Sequence, residues 1–101
     1  MKIGNTYSFE SLVIDKNGNE TFPIYHFTIK CDELMTNFNE MDDVVRLILV
    51  ELTNEVLNDL ISEITLTDLM SYIHNKLIGK LQLKSIVLWE DQKLEFVEIS
   101  D

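Results

Sequence analysis

Apolar and polar residues alternate with a period of two from Thr6 to Ile14, where Tyr7, Phe9 and Ser11 fall on one side and Ser8, Glu10 and Leu12 on the other. That spacing predicts a strand, because successive side chains of an extended backbone point to opposite faces. Asp15-Lys16-Asn17-Gly18-Asn19 interrupts the pattern, and Asn17-Gly18 carries the residue types that accept the positive φ angles of a tight hairpin turn. A second strand is predicted over Thr21 to Cys31. Tyr25, Phe27, Ile29 and Cys31 then share one face, and Ile24, His26, Thr28 and Lys30 share the other. Pro23 cannot donate a ladder hydrogen bond and is expected at the strand's start, at an edge or at a bulge.

The period then changes. Asn37 followed by Glu40 has the form of a helix N-cap with an acidic partner, and Met41, Val44, Val45, Ile48 and Leu52 recur at helical spacing. The stripe continues less cleanly through Val56, Leu57, Leu60 and Ile61, which predicts a break or bend near Thr53-Asn54. Thr65 or Thr67 can cap a second helix with Leu66, Leu69, Met70, Ile73 and Leu77 as its apolar stripe. Gly79 is placed to end that helix in the left-handed conformation, and Lys76 and Lys80 complement its dipole. Leu83 to Trp89 and Leu94 to Ile99, separated by Glu90-Asp91-Gln92-Lys93, read as a closing hairpin. The order ββααββ predicts an α+β domain over residues 1–101, a four-stranded antiparallel sheet with two helices on one face.

Composition narrows the function classes. A chain of 101 residues makes one domain with a small core, which favours shared burial with a partner. The longest apolar run, Val44 to Leu52, is broken by Arg46 and Glu51 and falls short of the roughly 20 residues of a membrane span. The start of the chain lacks an apolar stretch of signal-peptide length, so a soluble, cytoplasmic protein is the expectation. The formal charge is −10, and from Asp32 to Asp68 ten acidic residues face a single basic one, Arg46. Phosphate binding depends on Lys and Arg, so direct nucleic-acid binding is not expected, whereas a basic protein partner is compatible. One cysteine, Cys31, excludes an internal disulfide, and two distant histidines, His26 and His74, are thin material for a zinc site. No metal or cofactor is expected.

Four stretches carry more specific information: Met35-Thr36-Asn37-Phe38, Leu52-Thr53-Asn54-Glu55-Val56-Leu57-Asn58, Thr65-Leu66-Thr67-Asp68-Leu69 and Val87-Leu88-Trp89-Glu90. In this order they resemble motifs of the 6-pyruvoyltetrahydropterin synthase / 6-carboxytetrahydropterin synthase family. Those motifs read Met-x-x-Asp-Phe, Leu-Asp-His-x-x-Leu-Asn, Pro-Thr-x-Glu-Asn-Leu and Val-x-Val-Trp-Glu-Thr. The resemblance spans most of the chain and implies the tunnelling fold, which has the same ββααββ order. It further implies a homo-oligomer whose sheets join into a barrel, with sites for a purine- or pterin-like ligand between chains. Glu90 and Thr65 are the ligand-binding positions it indicates, Glu90 as a clamp on an amino-pyrimidine face; read from the residues alone, Glu90 is equally a solvated residue opening the turn at Glu90-Asp91.

The departures fall on the chemistry. Thr53 and Asn54 occupy the places of a proton-transferring Asp-His pair, and neither side chain exchanges a proton near neutral pH. The family's Phe-x-Ala-Ala-His is matched by Phe9-Glu10-Ser11-Leu12-Val13, and its His-Gly-His by Ile24-Tyr25-His26. A short turn stands where the family has a loop bearing a nucleophilic Cys, and Cys31 lies on the wrong side of the motif to replace it. No catalytic residue is therefore assigned. The expectation is a catalytically inactive pterin-synthase-like protein, a pseudoenzyme that serves as an oligomeric scaffold or ligand binder.

An acidic protein-interaction module, or antagonist of a nucleic-acid-handling enzyme, is the alternative. For it, Glu51, Glu55 and Asp59 recur at i, i+4 and i+8 and would line one face if a single helix continued there. An active pterin-type enzyme ranks third. His26 is expected as a surface or interface residue, His74 as solvent-facing and Trp89 in the core or at a subunit interface.

Overall fold

In the computed structural model, which describes residues 1–34 and 36–100, the hairpin comes first. Its strands are β1 (Lys2–Glu10), β2 (Val13–Ile14), β3 (Glu20–Thr21) and β4 (Ile24–Asp32). Three helices follow, α1 (Phe38–Asn54), α2 (Leu57–Leu60) and α3 (Leu66–Leu77), and β5 (Leu83–Glu90) and β6 (Phe96–Ser100) close the chain. The main sheet is antiparallel throughout, in the order β1-β4-β5-β6, and β2 and β3 form a separate two-stranded ribbon. The α+β class and the four-stranded sheet agree with the sequence pattern. α1 packs across β1 and α3 across β5 and β6, on the same face of the sheet. The motif beginning at Met35 lies partly outside the described residues.

The first hairpin is longer and turns differently than predicted. β1 begins at Lys2 rather than Thr6, and both long strands are interrupted, at Ser11-Leu12 and at Phe22-Pro23. Pro23 stands immediately before β4, as its missing N–H requires. A two-residue turn at Asn17-Gly18 is not what closes the hairpin. Asp15 and Asn19 pair across a three-residue loop, with the Gly18 N–H donating to the Asp15 carbonyl at 3.0 Å and only Gly18 at positive φ (81°). The reason is register. Ile14 opposite Glu20, Phe9 opposite Tyr25 and Tyr7 opposite Phe27 put the aromatic residues of both strands on one face. A two-residue loop would slip one strand by a residue and turn one of the two sets outward. The Asp15 carboxylate accepts from the N–H groups of Asn17 and Asn19 and holds the loop.

The core lies between the inner sheet face and the helices. Phe27, Ile29, Ile86 and Leu88 of the sheet meet Met41, Val45 and Leu52 of α1 and Leu69, Ile73 and Leu77 of α3, all at 1% exposure or less. Phe9, Tyr25, Phe27 and Tyr7 form a continuous aromatic layer, with ring centroids 5.4 to 6.1 Å apart. Asn37 caps α1 through the Glu40 N–H and Thr65, not Thr67, caps α3 through the Asp68 N–H. Gly79 does not take the left-handed conformation. The chain leaves α3 through Ile78 in right-handed geometry, and the Lys80 and Leu81 N–H groups both reach the Leu77 carbonyl.

Candidate functional site

The Leu52–Asn58 stretch divides into a frame and a remainder. Leu52 and Leu57 are fully buried, whereas Thr53 and Asn54 are exposed on the last turn of α1. The Thr53 hydroxyl donates back to the Leu49 and Val50 carbonyls, a local bond within its own helix. α1 stops at Asn54, with Glu55 extended, as the weakening of the stripe predicted. Asn58 then acts as a side-chain copy of a peptide group. Its Oδ1 accepts from the Ile14 N–H at 2.8 Å and its Nδ2 donates to the Ile14 carbonyl at 3.0 Å. The Leu57 N–H donates to the Leu12 carbonyl at 2.8 Å, and the buried Ser11 hydroxyl donates to the Leu52 carbonyl at 2.9 Å. The residues that match the resembling motif thus fasten α1 and α2 to the hairpin. The two that differ are free of that duty.

The two ligand-binding candidates occupy different surroundings. Thr65 lines an open groove of about 800 Å³ with Val13, Ile14, Lys16, Asn58 and Ile64, but its hydroxyl oxygen is engaged as the α3 cap. Glu90 does not line that groove. It ends β5 on the helix side of the sheet, half-buried and directly opposite Tyr25. Burial first, and then the Glu90 charge, push the Tyr25 hydroxyl up to about 12. The Glu90 carbonyl accepts from the Lys93 N–H, so the residue also opens a turn, with Gln92 at φ 63°. Within one chain Glu90 and Thr65 are not brought into one site.

The acidic stripe is not continuous either. Because α1 ends before Glu55 and α2 begins only at Leu57, Glu51, Glu55 and Asp59 do not share one helix face. Glu51 instead pairs with Lys76 of α3 at 3.7 Å, an exposed contact of the kind that contributes little. His74 is half-buried rather than solvent-facing and lines a cleft of about 230 Å³ between α3 and the β5–β6 pair. Cys31 is fully buried in the core, and burial pushes its thiol up, away from the reactive thiolate. Among the described residues no three His, Cys, Asp or Glu side chains gather in a metal-binding arrangement.

The sheet face away from the helices carries an arrangement that the sequence pattern did not single out. Ser8, His26, Trp89 and Phe96 lie side by side across all four strands. The Ser8 hydroxyl is 2.6 Å from His26 Nδ1, and His26 Nε2 is 2.8 Å from Asp91 Oδ1. The imidazole stacks on Trp89 with centroids 5.4 Å apart. One rung further along, the Thr6 and Thr28 hydroxyls bond at 2.8 Å. His26 was expected at the surface or at an interface, and Ser8 and Asp91 were not assigned a role. The signal was the register: only the three-residue turn sets Ser8 opposite His26, and Asp91 arrives from a turn more than sixty residues on.

Compared with protein-family models the chain finds no match, and compared with curated proteins it finds none. Among the described residues no helix is long and apolar enough to cross a membrane.

Proposed function

We propose that this chain is a homo-oligomeric scaffold of the tunnelling-fold type without the pterin-synthase reaction. In it, neighbouring copies pair their sheet edges and enclose the face that the helices leave bare. One observation carries the reading: the sheet is covered on a single side, and the other side carries Ile24, Val87, Trp89 and Phe96 as an apolar patch among its polar residues. Trp89 and Val87 are half-buried there, while Ile24 is 38% exposed and Phe96 60% exposed. β1 and β6 lie at the two sheet edges, each with a ladder partner on one side. Edge strands offer rows of N–H and C=O groups that another chain can pair. The resemblance of four stretches to a barrel-forming family supports the same arrangement.

The scaffold reading is favoured over the acidic module because the stripe that motivated the module is broken at Glu55. Ligand binding belongs to the assembled form in this reading, since Glu90 and Thr65 are apart within one chain. Native mass spectrometry tests the proposal: a defined multiple of the 11.8 kDa chain is expected. A monomer across a wide concentration range contradicts it. Glu90→Gln tests the binding branch separately, because it replaces an acceptor by a donor facing the ligand's N–H groups. Loss of binding to an aminopurine or pterin probe with the particle mass intact is the expected result. If either probe binds the variant as well as the parent, that branch fails.

A further inference from the structure

The Ser8–His26–Asp91 chain has the connectivity of an activated nucleophile. Its members come from β1, β4 and the turn after β5, so the main ladder holds two of them at fixed separation. The Asp91 carboxylate accepts from Nε2–H, which fixes the tautomer. Nδ1 is then left as a lone-pair acceptor, 2.6 Å from the Ser8 oxygen. Stacking on Trp89 holds the ring plane. Nucleophile, base and orienting group within hydrogen-bond reach are the geometric signature of covalent catalysis, recognised by roles rather than by position in the chain. Ser8 itself is exposed, and on the far side of His26, along the same rung of the sheet, Trp89 and Phe96 offer an apolar surface to an aryl or acyl group.

We propose that Ser8 is an acyl-accepting nucleophile, with His26 as its general base and Asp91 as the positioning residue, and that it reacts with activated carboxylic esters. In this step Ser8 Oγ forms a bond to the ester carbonyl carbon while its proton passes to His26 Nδ1. The bond from that carbon to the leaving oxygen breaks, and the imidazolium returns the proton to the leaving group. Water then hydrolyses the acyl-serine by the same route in reverse. The three groups supply activation of the nucleophile, whereas fast turnover rests largely on oxyanion stabilisation. The expected signature is therefore a stoichiometric burst followed by slow release. This site lies on the face that the proposed assembly encloses but uses neither Glu90 nor pterin-type chemistry, and its test reads a label on Ser8 rather than a particle mass, so the two failures are distinguishable.

The full chain treated with p-nitrophenyl acetate tests it. One equivalent of p-nitrophenolate per chain is expected in the burst, with acetyl found by peptide mass spectrometry on the fragment containing Ser8. Ser8→Ala removes that label. His26→Gln slows acylation by about 10² to 10⁴-fold, the usual contribution of a general base. Asp91→Asn slows it less, and Asp91→Glu recovers part of the loss, which a merely structural role would not produce. Acetyl confined to lysines and the N-terminus of the parent protein overturns the proposal. Labelling of Ser8 at the same rate in His26→Gln overturns it equally.

Discussion

On the helix-covered face of the sheet, Phe27, Ile29 and Leu88 are fully buried, whereas on the opposite face Phe96 keeps 60% of its surface exposed and Ile24 38%. The same four strands supply both faces, with the same alternation, so local propensity cannot account for the contrast. What differs is what lies against them. The covered face is completed by Met41, Val45, Leu69 and Ile73 from its own chain. The bare face pairs its polar groups among themselves, Ser8 with His26 with Asp91 and Thr6 with Thr28, and leaves Phe96 largely uncovered. Stability of the monomer therefore resides on one side, and the other is the side to which we assign the proposed association and chemistry.

The contrast is broken most severely by Phe27→Ala. The ring packs edge-on or stacked against Phe9 and Tyr7 with no solvent contact, and its removal is expected to cost about 3–5 kcal/mol in urea unfolding. Next in size is Asn58→Ala, which leaves the Ile14 N–H and carbonyl without their partner and loosens the β2–β3 ribbon on α2, still tied by the Leu57 N–H to the Leu12 carbonyl. About 1–2 kcal/mol is expected, with hydrogen exchange quickening first at Ile14. Tyr25 gives the covered face an alkaline limit. Its folded-state value of about 12 lies above the ordinary 10, so the protein is expected to lose stability as pH rises from 10 towards 12. Tyr25→Phe flattens that loss, measured as the pH dependence of the unfolding midpoint. The smallest effect has the opposite sign. Gln92 sits at φ 63° in the β5–β6 turn, and Gln92→Gly is expected to stabilise by about 1 kcal/mol or less.

Much of the covered face was legible in the sequence because it follows from periodicity. Tyr25, Phe27, Ile29 and Cys31 alternate inward, and Met41, Val45, Ile48 and Leu52 recur along one helix face, as their spacing predicts. The break after Asn54 was legible for the same reason. The turn geometry was not, since Asn17-Gly18 satisfies a two-residue loop locally and only the pairing of both aromatic sets requires three. The Ser8–His26–Asp91 chain was illegible because its partners are polar residues on an alternating face, where sequence spacing carries no information about which side chains meet. The stripe of Glu51, Glu55 and Asp59 shows the converse: regular spacing across a helix end brings nothing together. Asn58 was visible as part of a motif, but its work as a surrogate peptide group emerged only once Ile14 was placed beside it.

The central claim is that the bare face is completed by further copies of the chain. Native mass spectrometry of the parent protein beside the Trp89→Ser, Phe96→Ser double variant tests it most directly. Both side chains lie outside the helix-packed core, so the variant's chain is expected to keep its fold by circular dichroism. The account predicts a defined multiple of 11.8 kDa for the parent, and for the variant a shift towards the single-chain mass that reverses at high concentration. A parent protein that stays at the single-chain mass throughout, or a variant that assembles as well as the parent, would contradict it.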